Sequence, residues 1–232
     1  MPKPGSKRRG RMHDAEGARE AILNAGEEVF AEHGFDGARI DAIAKVSGYN
    51  KSLIFQYFGD KLGLYAAVIR RADEQTRIWQ NEALKTLSTT KVDQSFDQLK
   101  NLLAMYVGKY FDYLVEHPQV ARIYTWEMAE GWQTFSKVLI QRDFDDVDEF
   151  MPILTRLQEA GWLRSDPEPI LQFTHALFTC TVYLSMPALY KSLLPGMDFS
   201  SPGVLKYARD FVVDFVVKGL LIAPAKTKPR KK

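Results

Sequence analysis

The chain has 232 residues, 46% of them hydrophobic and 12% aromatic, which is enough apolar side chain for a sizeable core and excludes disorder as its main state. Residues 1–11 and 226–232 carry ten basic residues and no acidic ones, leaving 21 basic against 29 acidic residues between them, and basic ends on an acidic body favour a polyanionic partner. The single cysteine, Cys180, excludes an internal disulfide, and the lack of a signal-peptide pattern or of a long apolar run predicts a cytoplasmic protein without a membrane span.

The predicted elements are all α-helices, because the chain has no alternating strand pattern. No internal repeat is found either. Residues 1–14 are predicted to form a flexible basic arm, and residues 223–232 a disordered basic tail. Apolar residues at spacings of three and four predict helices, in chain order, at residues 15–33, 40–46, 50–57, 61–88, 95–116, 118–130, 134–160, 167–185 and 202–218.

Residues typical of helix ends support these boundaries. Asn50 and Asp60 are predicted to cap the helices that follow them. Two further capping residues stand directly before a proline at the first helical position, namely Asp166 and Ser201. Glycines lie where three of the helices should end, namely Gly34, Gly161 and Gly219.

The two short helices and the glycine-containing turn between them form a helix-turn-helix pattern over residues 38–61. Ala44 is small enough for the two helices to approach closely, and Gly48 lies in the turn. Four apolar residues can fix both helices to the first long helix, namely Ile40, Ile43, Ile54 and Phe58. The pattern predicts a DNA-binding domain over residues 15–60, followed by a larger domain over residues 61–222.

The same stretch resembles the signature of the TetR family of bacterial regulators. The matching positions are Ile43-Ala44, Gly48, the run from Ile54 to Phe58, Lys61, and the helix end at residues 33–37. The resemblance covers about residues 18–65 and implies an all-α fold, with an N-terminal three-helix head and a C-terminal helical ligand-binding and dimerisation domain. Departures from the family at Arg39-Ile40, at Tyr49-Asn50 and at Phe55 leave the operator sequence open.

In a helix-turn-helix the second helix enters the major groove and places its first residues against base edges. The predicted DNA-binding residues are Arg39, Asn50, Lys51, Ser52, Leu53, Phe55, Gln56, Tyr57 and Lys61. Lys51 or Arg39 can bond guanine, and Gln56 can bond adenine, unless Gln56 is only a solvated surface residue. Tyr57 and Lys61 are expected at phosphates, and the basic arm in an adjacent minor groove or in solvent.

Two apolar stripes near the C-terminus predict a homodimer, in which two helices from each copy form a four-helix bundle, as in the family. The predicted interface residues are Phe173, Leu177, Thr181, Leu184, Val204, Tyr207, Ala208, Phe211 and Phe215. Alternatively, either stripe faces the core of its own chain.

The family resemblance also implies a small-molecule effector in the larger domain. Residues 117–130 and 166–183 resemble the pyrimidine-utilisation regulator subgroup of the family. The expected pocket residues are Trp79, Tyr110, Tyr124, His175, Phe178 and Thr179. The identity of the effector stays open, because an altered pocket could accept a different ligand.

The sequence therefore predicts a ligand-responsive transcriptional regulator, a repressor that binds palindromic operator DNA and is released by its effector. A ligand-independent DNA-binding regulator and an activator remain alternatives. An enzyme is disfavoured, because the four histidines have no metal-ligand spacing, no phosphate loop is present, and no base stands near Cys180 in sequence. No catalytic residue, cofactor or metal site is predicted.

Overall fold

The computed structural model describes residues 6–89, 96–140, 145–164, 166 and 168–222. These residues form eleven α-helices and no β-strand beyond an isolated antiparallel bridge between Leu163 and Leu221. The predicted all-α fold is confirmed. Over the same ranges, none of the helices combines the length and the apolar character needed to cross a lipid bilayer.

The helices run, in chain order, α1 Ser6–Gly37, α2 Ile40–Ser47, α3 Lys51–Phe58, α4 Lys61–Thr89, α5 Phe96–Glu116, α6 Pro118–Ala129, α7 Gln133–Ile140, α8 Asp145–Glu159, α9 Pro169–Ser185, α10 Pro187–Leu193 and α11 Pro202–Leu220. Helix α1 begins at Ser6, so the predicted start of the first helix at residue 15 is wrong. Residues 1–5 and the predicted tail at 223–232 lie outside the described residues.

Several predicted helix boundaries in the C-terminal half are wrong. The single helix predicted over residues 134–160 is two helices, α7 and α8. Helix α9 begins at Pro169 after Glu168, because this second residue-proline pair, two positions beyond Asp166, supplies the helix start. Helix α10 was not predicted, and it begins at Pro187, whose ring cannot continue the hydrogen bonding of α9.

The chain divides into two compact units. The first unit comprises Met1–Gln75 and Pro118–Arg142, and the second comprises Thr76–His117 and Asp143–Lys232. Helix α4 therefore contributes its first half to one unit and its second half to the other. Helices α6 and α7, which the sequence places in the larger domain, belong to the same unit as the helix-turn-helix.

In the first unit, α1 packs against α2, α3 and α6. Ile22, Ala25, Val29 and Phe30 form a buried apolar side of α1. The first half of α4 lies close to it, since a β-carbon on Gly26 would come within 3.3 Å of the Leu64 side chain. The largest apolar side chains that are fully buried in this unit are Ile22, Phe30, Ile43, Ile54, Leu64, Tyr65, Ile69 and Ile123.

In the second unit, α5 packs against α9 and α11, and α9 also packs against α8 and α11. Helix α11 begins as predicted, because the Ser201 hydroxyl accepts a hydrogen bond from the backbone N–H of Val204. One cluster of buried apolar residues in this unit consists of Leu99, Ile153, Leu154, Leu157 and Leu163.

Candidate nucleic-acid interface

The turn between α2 and α3 is held by local hydrogen bonds that the sequence predicts. Gly48 has φ 75° and ψ 7°, and its N–H donates to the carbonyl of Ala44 at 3.0 Å. The carboxamide oxygen of Asn50 accepts from the backbone N–H of Leu53 at 2.9 Å, which confirms Asn50 as the N-cap of α3. These contacts fix where α3 begins, and therefore which side chains stand at its N-terminus.

Helix α3 buries one face and exposes the other. Ile54 is completely buried, whereas Lys51, Ser52, Phe55 and Gln56 are exposed. We call these four exposed residues the recognition face. Phe55 belongs to it with 45% of its surface exposed, which is a large apolar area to leave in water without a partner.

The remaining residues predicted to contact DNA differ in how far they are exposed. Asn50 and Arg39 are exposed, and Arg39 stands at the N-cap of α2. Leu53 and Tyr57 are half-buried, with the Tyr57 ring centroid 6.3 Å from that of Phe58. The ammonium group of Lys51 pairs with the carboxylate of Asp41 on α2. Both of these side chains are largely exposed, so the pair is weak and can exchange for another anion.

Lys61, predicted at a phosphate, contacts the C-terminal end of α1 in this structure. Its ammonium nitrogen lies 2.8 Å from the carbonyl oxygen of Phe35 and 3.2 Å from that of Ala38. It also lies 4.4 Å from the centroid of the Phe35 ring. The predicted phosphate contact is untested, but this lysine has protein partners that the sequence did not suggest.

Helix α1 changes direction at Gly34, where the structure leaves no room for a side chain. Gly34 has φ 67° and ψ 179°, a conformation that is almost confined to glycine. A β-carbon there would lie 3.1 Å from the Glu130 carboxylate and 3.1 Å from the Trp126 ring. The indole N–H of Trp126 donates to the carbonyl of Ala31 at 3.2 Å, so α6 is fixed directly against the end of α1.

A buried carboxyl group connects α4 with α6 and α7 inside the first unit. Glu127 is 1% exposed; its Oε1 accepts from the Tyr65 hydroxyl at 2.5 Å, and its Oε2 accepts from the backbone N–H of Phe135 at 3.1 Å. Burial and the Glu127 carboxyl both raise the pKa of Tyr65. The sequence analysis missed Glu127, although a glutamate one helical turn from Tyr124 and two from Val120, on an apolar stripe, was a detectable signal.

A second missed residue links α4 to α1. The Arg71 guanidinium donates to the Glu20 carboxylate at 2.8 Å and to the Asn24 side chain at 2.6 Å, and it also pairs with Glu27. The side chains of Arg71 and Glu27 are mostly buried, at 19% and 17% exposed. No local sequence pattern indicates this cluster, because Arg71 is more than 40 residues from its three partners.

In the second unit, the orientation of α9 differs from the prediction. Thr181 is completely buried and Phe173 stacks near Tyr106 of α5, with ring centroids 5.6 Å apart, so both face their own core. The prediction that Thr181 lies at a dimer interface is therefore wrong. Leu177 and Leu184 are half-buried. The outward side of α9 carries the exposed residues Leu171, His175 and Val182, each one or two helical turns from the next, whereas Phe178 is half-buried.

This outward side includes residues that were predicted to line the ligand pocket. His175 is exposed, and its Nδ1 lies 2.7 Å from the carbonyl oxygen of Leu171. Thr179 donates to the carbonyl of His175 at 2.9 Å. The prediction that His175 faces an internal pocket is therefore wrong, because the actual helix face is rotated from the expected one.

Helix α11 also separates its apolar residues onto two faces. Ala208 is 1% exposed and packs with Val212 and Val216 in the core, so its predicted place at a dimer interface is wrong. Tyr207, Phe211 and Phe215 are 70%, 55% and 59% exposed. Val204, also predicted at the interface, is half-buried. We call Tyr207, Phe211 and Phe215 the aromatic face of α11.

The aromatic residues predicted for the pocket occupy separate places. Tyr110 is buried in the second unit, where burial raises the pKa of its hydroxyl. Trp79, in the same unit, contacts Tyr113 with ring centroids 5.6 Å apart. Tyr124 belongs to the first unit, where its ring contacts Phe135 at 6.0 Å.

Family models match nearly the whole of this arrangement. The model described as bacterial regulatory proteins, tetR family, matches residues 22–68, which include the helix-turn-helix. The model described as tetracyclin repressor-like, C-terminal domain, matches residues 74–216, more than half of the chain.

The chain is also similar in sequence to individual transcriptional regulators. The chain is 27% identical to the HTH-type transcriptional repressor NicS of Pseudomonas putida over 216 residues, covering 90% of this chain and 95% of that protein. It is 28% identical to the HTH-type transcriptional regulator RutR of Escherichia coli K12 over 160 residues, covering 69% and 68%. It is 31% identical to the HTH-type transcriptional activator FasR of Mycolicibacterium smegmatis, covering 50% and 56%.

A solved structure has the same fold. The TetR family transcription regulator from Marinobacter aquaeolei VT8 superposes with a TM-score of 0.64 at 20% identity, covering 92% of this chain and all of that chain.

Proposed function

From the premise that the chain belongs to the TetR family of bacterial transcriptional regulators, we propose that it represses transcription by binding operator DNA as a homodimer and is released by a small-molecule effector. The observation that carries the proposal is the recognition face of α3, presented at the capped N-terminus of a helix that is anchored by the buried Ile54. The TetR family and the relatives reported above are DNA-binding regulators and not enzymes.

The recognition face has the chemistry needed to distinguish bases. Lys51 can donate to guanine, and Gln56 can bond adenine through its carboxamide. Phe55 offers an exposed apolar ring, for which the methyl group of thymine is the matching contact in the major groove. Arg39, Asn50, Leu53 and Tyr57 complete the proposed DNA surface, with Tyr57 at phosphate.

The aromatic face of α11 supports a two-fold homodimer. Three aromatic residues at a spacing of four would remain largely in water in a monomer, and exposed apolar patches of this kind mark association sites. The outward side of α9 adds the exposed residues Leu171 and Val182 to the same proposal. A second copy presenting the same helices would cover both faces, as a two-fold interface requires.

An effector site is proposed in the second unit, where α5 carries three buried tyrosines at helical spacing, Tyr106, Tyr110 and Tyr113. Aromatic walls with a few polar groups are typical of small-molecule sites. Helix α4 is continuous between the units, so an effector that prefers one conformation of α4 would shift the population that binds DNA.

Selection of bound duplexes from a random pool, at several salt concentrations, tests the DNA-binding proposal. We expect a palindromic site, and we expect Lys51→Ala and Gln56→Ala each to relax one position in each half-site, at a cost of about 1–3 kcal/mol. Lys45→Ala is the control, because Lys45 is an exposed lysine of α2 outside the recognition face. Recovery of no common sequence by the unmodified protein would reject the proposal.

Sedimentation of Phe211→Ser tests the dimer. We expect dissociation of the dimer at concentrations where the unmodified chain is dimeric. Leu189→Ser on α10 is the matched control, since its 52% exposure is close to the 55% of Phe211. Equal behaviour of the two variants would remove the aromatic face from the interface.

Repression is favoured over activation because NicS, a repressor, matches almost the whole chain, whereas FasR, an activator, matches half of it. A reporter placed behind the selected operator distinguishes them, since deletion of the regulator raises expression under repression and lowers it under activation.

A further inference from the structure

Lys61 has a set of partners that a DNA-contacting lysine would not need. Its ammonium nitrogen faces three backbone carbonyl oxygens, those of Phe35 at 2.8 Å, Ala38 at 3.2 Å and Asp36 at 3.5 Å. An ammonium group has three donors, so this geometry can use all of them. The nitrogen also lies over the Phe35 ring, at 4.4 Å from its centroid.

We propose that Lys61 is a positioning residue for DNA binding, whose ammonium group closes the C-terminal end of α1 and fixes the corner where the chain turns into α2. The corner is defined as residues 34–39. In this role Lys61 sets the orientation of α3, and therefore of the recognition face, without touching DNA. The inference rests on the proposed DNA-binding function.

The end of α1 needs such a partner. The last carbonyl groups of a helix have no intrahelical donors, and they carry the negative end of the helix dipole. The turn at Gly34 also takes the following carbonyls out of regular helical geometry. A lysine from another helix satisfies these groups and the dipole together, as lysines near helix C-termini do.

The charges around the corner also favour a positioning role for Lys61. Partial burial, Asp36 and Glu127 raise the pKa of the Glu130 carboxyl, and Lys61 lowers it, so Lys61 is the positive charge in an acidic neighbourhood. A DNA phosphate approaching Lys61 would meet the repulsion of these carboxylates. Backbone carbonyls and nearby acids therefore account for the lysine better than a phosphate does.

The corner leads directly to the recognition face. The Ala38 carbonyl bound by Lys61 is one residue before Arg39, whose own carbonyl accepts from the N–H groups of Ala42 and Ile43 in the first turn of α2. Helix α2 packs on α3. A shift of the corner is therefore transmitted to α3 through packed helices and alters the approach of the recognition face.

The test compares Lys61→Met and Lys61→Arg with the control Lys45→Met in the full-length protein. Thermal unfolding and affinity for the selected operator are measured over a range of salt, with binding at a temperature where every variant is folded. Arginine keeps the positive charge and would serve a phosphate at least as well as lysine. Its planar guanidinium cannot converge on three carbonyls around one nitrogen.

We expect Lys61→Met to lower Tm by about 3–8 °C, since charged hydrogen bonds are lost. We expect it to lower affinity about tenfold or more at every salt concentration, with an unchanged salt slope. Lys61→Arg should lie between this variant and the unmodified protein in both measurements, which keeps the proposal testable if Lys61→Met does not fold.

Two results would overturn the proposal. A salt slope reduced by about one in Lys61→Met, with Tm unchanged and full affinity in Lys61→Arg, would identify a phosphate contact. A lowered Tm with unchanged affinity would identify a purely structural role. Failure of the proposed function itself is seen separately, because the unmodified protein would then select no operator.

Discussion

Replacing Gly34 by alanine is expected to destabilise the first unit strongly. Holding a residue with a side chain at φ 67° and ψ 179° costs about 1–3 kcal/mol. The new β-carbon would lie 3.1 Å from both the Trp126 ring and the Glu130 carboxylate, and such overpacking costs about 1–3 kcal/mol more. Alanine also lowers the conformational entropy of the unfolded chain, which offsets about 0.4–1 kcal/mol of this loss. With the middle of each range, the net loss is about 3 kcal/mol.

Thermal unfolding measures this loss, and Gly17 supplies a control in the same helix. Gly17 is exposed, and a β-carbon there would meet nothing within 4 Å, so alanine should stabilise the protein by about 0.5–1 kcal/mol. At about 2–4 °C per kcal/mol for a chain of this size, Gly34→Ala should lower Tm by about 6–12 °C and Gly17→Ala should raise it slightly. Shifts of the same sign in both variants would refute the reasoning.

Three further changes test the packing inside each unit. Tyr65→Phe leaves the buried Glu127 without its hydroxyl donor, so the free energy of unfolding in urea should fall by about 1–3 kcal/mol, and an unchanged midpoint would contradict the hydrogen bond. Arg71→Met should lower stability by about 1–3 kcal/mol, whereas the exposed neighbour Arg70→Met should have little effect. Burial raises the pKa of the Cys180 thiol from 9 to about 12. The free energy of unfolding should therefore be unaffected by this thiol below pH 9 and should fall by about 1.4 kcal/mol per pH unit above it. Cys180→Ala should remove the thiol's share of this fall.

The helix-turn-helix could be predicted closely because its signals are local. Asn50 caps α3 and Asp60 accepts from the backbone N–H of Gly63 at 2.7 Å, as their positions before apolar runs indicate. Ile43 and Ile54 are fully buried, and Lys51 and Gln56 are exposed. Each of these features depends on neighbours within about one turn of helix, which the sequence displays directly.

Helix α9 shows where periodicity gives no answer. It is apolar on nearly every side, since both the buried Ala176 and Cys180 and the exposed Leu171 and Val182 are hydrophobic. Two apolar stripes then fit the helix equally well, and the choice between them depends on contacts with α5, such as that of Phe173 with Tyr106. The sequence analysis therefore assigned the stripe that faces the core to the dimer interface. It assigned outward residues such as His175 to the ligand pocket.

The extent of the first unit follows from the same kind of long-range contact. Phe30 and Tyr65 are almost completely buried, and α6 supplies part of their surroundings, because Trp126 bonds Ala31 and Glu127 bonds Tyr65. Residues 118–140 fall within the C-terminal family model by sequence, yet they complete the core on which the helix-turn-helix rests. A fragment ending at residue 75 would expose this apolar surface and the hydroxyl of Tyr65, so the smallest stable DNA-binding piece has to include α6 and α7.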